Sequence, residues 1–280
     1  APYSAPRSMC PADPDGDPNT VDDVPDVVNN SWGINEGFSG NPPYTDCDSR
    51  WWAVIDNCEA AGVVVCWAAG NEGPGAGSLR SPSDRATTLT NTFSVGAVSA
   101  TEGQQFPYGI AGFSSRGPSG CPVPPLQQIK PEVCAPGVGV YSSVPGGGYQ
   151  GGWDGTSMAT PHVSGIVALI RQANPSLDVE TIKTILMDTA RDEGAAGEDN
   201  NYGWGFVDAQ AAVIAATVGF GQIEGHAYNL TWNGVALQGV KVKLIETGIQ
   251  YTTNALGFYS GSAAAGSYTV QASLDGFQTM

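Results

Sequence analysis

Two rhythms of apolar and polar residues divide the chain. Up to about Val218, short unbroken apolar runs alternate with segments of helical periodicity. Asp26-Val27-Val28-Asn29-Asn30 and residues 63–68, 93–98 and 132–135 read as strands, with a hairpin over 140–153. Near-continuous apolar strands are buried on both faces, whereas a half-exposed strand alternates. Helices are predicted over 48–61, where Trp51, Trp52, Ile55 and Cys58 recur at helical spacing and Gly62 follows, over 157–173, over 178–190 with Asp178 as cap, and from about Asp208. Strand, helix, strand in this order predicts an α/β domain over residues 1–218, a mostly parallel sheet with helices on both faces. From Gly221 onward period-2 alternation takes over, as in Val240-Lys241-Val242-Lys243-Leu244 and Tyr268-Thr269-Val270-Gln271-Ala272, with turns at Asn233-Gly234, Thr247-Gly248 and Asp275-Gly276. Residues 219–280 are therefore expected to form a small all-β, sandwich-like domain, short for a complete sandwich.

Composition removes several classes of function. The 280 residues carry 11 Lys plus Arg against 27 Asp plus Glu, a formal net charge of −16. No basic stripe is present to neutralise phosphates, so nucleic acid is not an expected partner. No apolar run approaches the roughly 18 residues of a membrane span. With only His162 and His226, a metal site built on several imidazoles is excluded. Residues 13–19 alternate carboxylates around Gly16 but lack the distal Glu of a calcium loop, and read more simply as a solvated acidic loop. No cofactor is required by any pattern; a structural calcium is the one ion left open. Six cysteines lack Cys-x-x-Cys spacing; Cys47 with Cys58 and Cys121 with Cys134 are candidate bridges, and Cys66 reads as a buried thiol. Four lysines, high acidity and an even cysteine count point to a secreted or extracellular protein, expected to be a monomer.

Two motifs carry chemistry. In Gly155-Thr156-Ser157-Met158-Ala159-Thr160-Pro161-His162, a small-residue turn delivers Ser157 to the first turn of an apolar helix. Unpaired N–H groups and the helix dipole favour negative charge there. By itself this run is equally a serine cap on a core helix. In Ala68-Ala69-Gly70-Asn71-Glu72-Gly73-Pro74, Asn71 lies just past the C-terminal end of a predicted central strand, where open parallel sheets place their sites. By itself that run is a turn. Together they supply a nucleophile and an oxyanion donor.

With these residues the chain resembles the subtilisin-like serine peptidases over about residues 26–215. The resemblance implies that Ser157 is the nucleophile and that Asn71 is the side-chain oxyanion donor beside the Ser157 N–H. It implies that Ser31, Trp32 and Gly33 pair with an extended protein or peptide substrate and form one wall of the specificity pocket, and that Ala68, Ala69 and Gly70 form the other. Glu72 is left with two readings, a preference for basic side chains in that pocket or a solvated rim charge. Further landmarks are Phe113-Ser114-Ser115-Arg116-Gly117-Pro118, Lys130-Pro131-Glu132 and Ala135-Pro136-Gly137. Val27-Val28-Asn29-Asn30-Ser31-Trp32-Gly33 and Ser143-Val144-Pro145-Gly146-Gly147 are most similar to the bacillopeptidase F-like branch. The C-terminal unit resembles a carboxypeptidase-regulatory-like module.

Neither the family's Asp block nor its His block occurs in these residues. His162 lies five residues beyond Ser157, about 7.5 Å along a helix and about 140° around it, so it cannot serve as the base. The expectation is an N-terminally truncated serine endopeptidase, inactive as it stands; the alternative is a non-catalytic binding or adhesion protein on the same scaffold. A truncated sheet with an open edge is expected to fold poorly. A cooperative thermal transition with a strong near-UV signal contradicts that expectation.

Overall fold

A computed structural model describes residues 24–40, 42–101, 103–122, 128–218, 220–229, 234–245, 249–264 and 267–276. The acidic loop of residues 13–19 and Cys10 lie outside them, as does the Thr247-Gly248 turn.

The predicted strands form one sheet. β1 (Val27–Asn30), β2 (Val64–Ala68), β3 (Phe93–Ser99) and β5 (Val133–Pro136) run parallel, and the short β4 (Gly109–Ile110) pairs antiparallel with the end of β3. Successive side chains of a strand point to opposite faces, and β2 shows what this requires of an apolar run. Val64 and Cys66 join a large core with Phe93, Val95, Val133 and the helices α2 (Thr156–Ala173), α3 (Val179–Asp188) and α4 (Ala209–Val218). Val63, Val65 and Trp67 face the other way, against Ile55 and Cys58 of α1 (Trp52–Ala60). Every residue of β2 is buried, which is why its sequence does not alternate.

The helix limits follow local chemistry. Asp48 caps a 3₁₀ turn (Ser49–Trp51) that leads into α1, and Gly62 ends it with φ +92°. The Asp178 carboxylate accepts the Thr181 N–H at 2.7 Å to start α3, and Asp208 accepts the Ala211 N–H at 3.0 Å to start α4. β6 (Val140–Val144) and β7 (Gly148–Trp153) form the predicted hairpin. Beyond α4, β8 (Phe220–His226) pairs with β13 (Phe258–Ala264), β9 (Tyr228–Asn229) with β10 (Val235–Ala236), and β11 (Lys241–Leu244) with β12 (Gln250–Thr252) and β14 (Val270–Ser273), all antiparallel.

The disulfide differs from both candidate bridges: Cys47 pairs with Cys121, their Cα atoms 5.3 Å apart. Asp84 brings them together. Its carboxylate accepts the Cys47 N–H at 2.6 Å, while its carbonyl lies 3.3 Å from Cys121 Sγ. Cys58 instead packs beside the α1 core, and Cys134 is buried in β5; both are free thiols. Cys66 is the buried thiol expected, and burial pushes its pKa up to about 12.

Glu193 follows α3 in a buried position. One of its carboxylate oxygens accepts the Tyr108 N–H, and the other is buried without a partner. Desolvation raises its pKa to about 7, and that of Glu198 likewise to about 7. A raised acid pKa contributes stability below its unfolded value near 4.5 and loses it as pH rises through about 7. Denaturant melts are therefore expected to show stability falling between about pH 5 and 8, with at most about 3 kcal/mol from Glu193. Glu193→Gln removes its share of that slope; an unchanged slope contradicts the assignment.

Candidate active site

The residues the sequence singles out meet where three segments end: the continuation of β1, the end of β2 and the first turn of α2. Gly155 precedes α2 with φ +149°, a conformation side-chained residues rarely adopt. Thr156 is fully buried and joins α2 to the end of β2. Its N–H donates to Asn71 Oδ1 at 2.9 Å, and its hydroxyl accepts the Gly70 N–H at 3.2 Å while lying 3.0 Å from Asn71 Oδ1. With Oδ1 held twice, the amide of Asn71 is fixed and its NH₂ is the free end. A Cβ built on Gly155 would lie 3.6 Å from both Asn71 Nδ2 and Ser157 N. Two donors therefore border one small volume. Ser157 N belongs to the first turn, whose N–H groups have no intrahelical acceptor, and the helix dipole adds to the positive potential there.

Ser157 itself is held by Ser31. The Ser157 hydroxyl donates to Ser31 O at 3.2 Å, and the Ser31 hydroxyl donates to Ser157 O at 2.8 Å. The second bond has a cause in the sequence. Pro161 stands four residues after Ser157 and has no N–H, so the Ser157 carbonyl lacks its usual helical partner and is open to Ser31. Asn29 supports the arrangement, donating to Ser31 Oγ at 2.9 Å and accepting from Ser164 Oγ at 3.3 Å.

Trp32 is 44% exposed, with its ring edge-on to Trp51 and Trp67 at centroid distances of 5.7 and 4.9 Å. Opposite, Ala68, Ala69 and Gly70 are buried. Gly70 has φ +115°, and a Cβ there would meet Glu72 Oε2 and Ser115 Oγ at 2.7 Å. Glu72, for which the sequence left two roles open, is half-buried and forms an ion pair with Arg80. Ser157 also lines an open cavity of about 490 Å³, with Val140, Trp153, Met158, Pro161 and His162.

His162 is exposed on α2 and turns Nδ1 back to Met158 O at 2.8 Å. His226 stacks on Tyr228 in the C-terminal unit, 5.6 Å between centroids. Neither bonds to Ser157. Among the described residues no group of three or more His, Cys, Asp or Glu is arranged to hold a metal ion.

Sequence reasoning missed Thr156 and Arg80. Thr156 stands inside the serine motif, but its partners come from a segment 85 or more positions away. Arg80 lies in a loop with no local pattern. Replacing Thr156 by the isosteric Val leaves the Gly70 N–H without its acceptor, an expected cost of about 1–3 kcal/mol. A urea midpoint unchanged from the parent contradicts this tether.

The sequence profile of the Subtilase family matches residues 16–205. Bacillopeptidase F of Bacillus subtilis (strain 168) is 40% identical over 225 residues, covering 78% of this chain and 14% of that protein. Alkaline elastase YaB of Bacillus sp. (strain YaB) is 38% identical over 159 residues, 57% of this chain and 35% of the relative. The chain thus spans well under half the length of these relatives. Among solved structures, sphericase superposes with a TM-score of 0.52 at 31% identity, over 65% of this chain and 56% of its own. The S41 psychrophilic protease gives 0.51 at 30%, over the same shares. A profile covering most of the chain, a subtilase fold and a relative 40% identical over 225 residues lead to one conclusion: the chain belongs to the subtilase family.

Proposed function

We propose that this chain carries the nucleophile and oxyanion half of a serine endopeptidase site, with Ser157 as nucleophile and Asn71 as oxyanion donor. The observation that supports it most is the closeness of Asn71 Nδ2 and Ser157 N, each 3.6 Å from the one point a Cβ on Gly155 would take. The Ser157 hydroxyl attacks a peptide carbonyl, a base takes its proton, and the two N–H donors stabilise the negative charge that develops on the carbonyl oxygen. Because Thr156 fixes Asn71 beforehand, the donor needs no reorganisation when charge appears.

The base is a separate matter. A serine nucleophile of this kind works with a His held in its tautomer by a carboxylate. Neither histidine here bonds to Ser157, so both partners are assigned to sequence outside these 280 residues, which by themselves are expected to hydrolyse no peptide. An extended peptide adds as a strand beside Ser31, Trp32 and Gly33, held by main-chain bonds that tolerate many sequences. Residues 219–280 act as an appended carboxypeptidase-regulatory-like module, a reading their antiparallel strands support. The acidic chain and its disulfide fit a secreted, monomeric enzyme.

Fluorophosphonate labelling of the full-length protein tests this reading. Labelling and peptide hydrolysis are expected to disappear with Ser157→Ala. Asn71→Leu is expected to lower kcat by about 10²–10³ with KM little changed, a magnitude taken from subtilisin, a relative of this chain. Labelling that survives Ser157→Ala assigns the nucleophile to another residue and overturns the reading; an unlabelled parent overturns it in favour of a non-catalytic binding protein on this scaffold.

A further inference from the structure

Arg80 stands between the two segments that the peptidase reading makes the walls of the specificity pocket. Ile34 N–H donates to Ser81 O at 2.8 Å, and Arg80 N–H donates to Ala69 O at 3.1 Å, so the segment bearing Arg80 is tied to both walls. A Cβ on Gly33 would lie 2.7 Å from Arg80 Cβ, and a Cβ on Gly70 would lie 3.1 Å from Arg80 Cγ. The aliphatic stem of Arg80 therefore occupies the space that two glycines, one on each wall, leave open. Its guanidinium sits 5.4 Å from the Phe38 ring centroid, donates through Nη2 to Glu72, and keeps a buried Nε with no partner. Glu72 is anchored independently, accepting the Asn71 N–H at 2.9 Å and the Ser115 hydroxyl at 3.3 Å. The carboxylate is well supplied with donors, while the guanidinium holds N–H groups in reserve.

We propose that Arg80, held by Glu72, is the specificity-determining residue of the cleft. It shortens the slot and selects a substrate side chain that is short and ends in an oxygen acceptor, the Asp, Asn, Glu and Gln class. This rests on the peptidase reading above. A Lys or Arg side chain ends in donors only and finds no acceptor on the guanidinium, a mismatch that works as discrimination. A large aromatic side chain would need the Arg80 stem to leave its place between the walls. An oxygen acceptor takes the unused N–H groups instead. Glu72 balances the charge of Arg80, so acids and amides bind similarly; Glu72→Gln uncovers the positive charge and favours the acids.

The test uses the full-length protein and fluorogenic peptides that differ only in the residue before the scissile bond: Asp, Asn, Glu, Gln, Lys, Arg or Phe. The acceptor-bearing peptides are expected to show kcat/KM at least about 10-fold above Lys, Arg and Phe. Arg80→Ala, which opens the slot and leaves Glu72 unpaired, is expected to reverse that order, raising Phe, Lys and Arg above the acceptor set. A merely structural role lowers all seven together. Parent enzyme that prefers Lys, Arg or Phe, or an Arg80→Ala variant whose seven rates fall in proportion, overturns the inference and leaves the peptidase reading intact. Absence of Ser157-dependent cleavage of every peptide overturns both.

Discussion

The site depends on one buried junction, the contact of Thr156 with Gly70 and Asn71. It joins the C-terminal end of the central strand β2 to the first turn of α2, so the sheet fixes the helix whose N-terminus carries Ser157. A hydroxyl and an N–H removed from water must find partners or cost free energy. Here they find them only when the strand end and the helix start are in register. The same bonds that satisfy Thr156 also hold the Asn71 amide by its oxygen and leave its nitrogen free. Folding stability and the aim of a candidate oxyanion donor are therefore set by the same atoms.

A second constraint runs through the missing N–H of Pro161. In most helices an interior proline is a defect; one turn after Ser157 it frees a carbonyl that Ser31 then occupies. The serine is thus tied to the continuation of β1 as Asn71 is tied to β2. Two adjacent parallel strands end on either side of one residue, which is where open parallel sheets place their sites. Beyond those strand ends, Gly33 and Gly70 make room for the stem of Arg80.

Much of this was legible in the sequence, for physical reasons that differ by element. Strands buried on both faces write themselves as unbroken apolar runs, and β2 is the clearest case. Asp178 and Asp208 announced their helices because a cap is a local event. The pairing of Cys47 with Cys121 was not legible, since Asp84, which draws the two together, contacts them from a different part of the chain. The role left open for Glu72 was unreadable for the same reason: its partner Arg80 reaches it across a loop. The shortest strands, such as β4 with two residues, have no pattern long enough to read.

The central claim is that Asn71 Nδ2 and Ser157 N together face the oxygen that becomes negative when Ser157 attacks. A crystal structure of the full-length protein inactivated by a peptidyl phosphonate tests it most directly. A covalent bond from phosphorus to Ser157 Oγ is expected, with one phosphoryl oxygen within about 2.7–3.1 Å of both nitrogens. An adduct on another residue, or a phosphoryl oxygen turned away from Asn71, would contradict it.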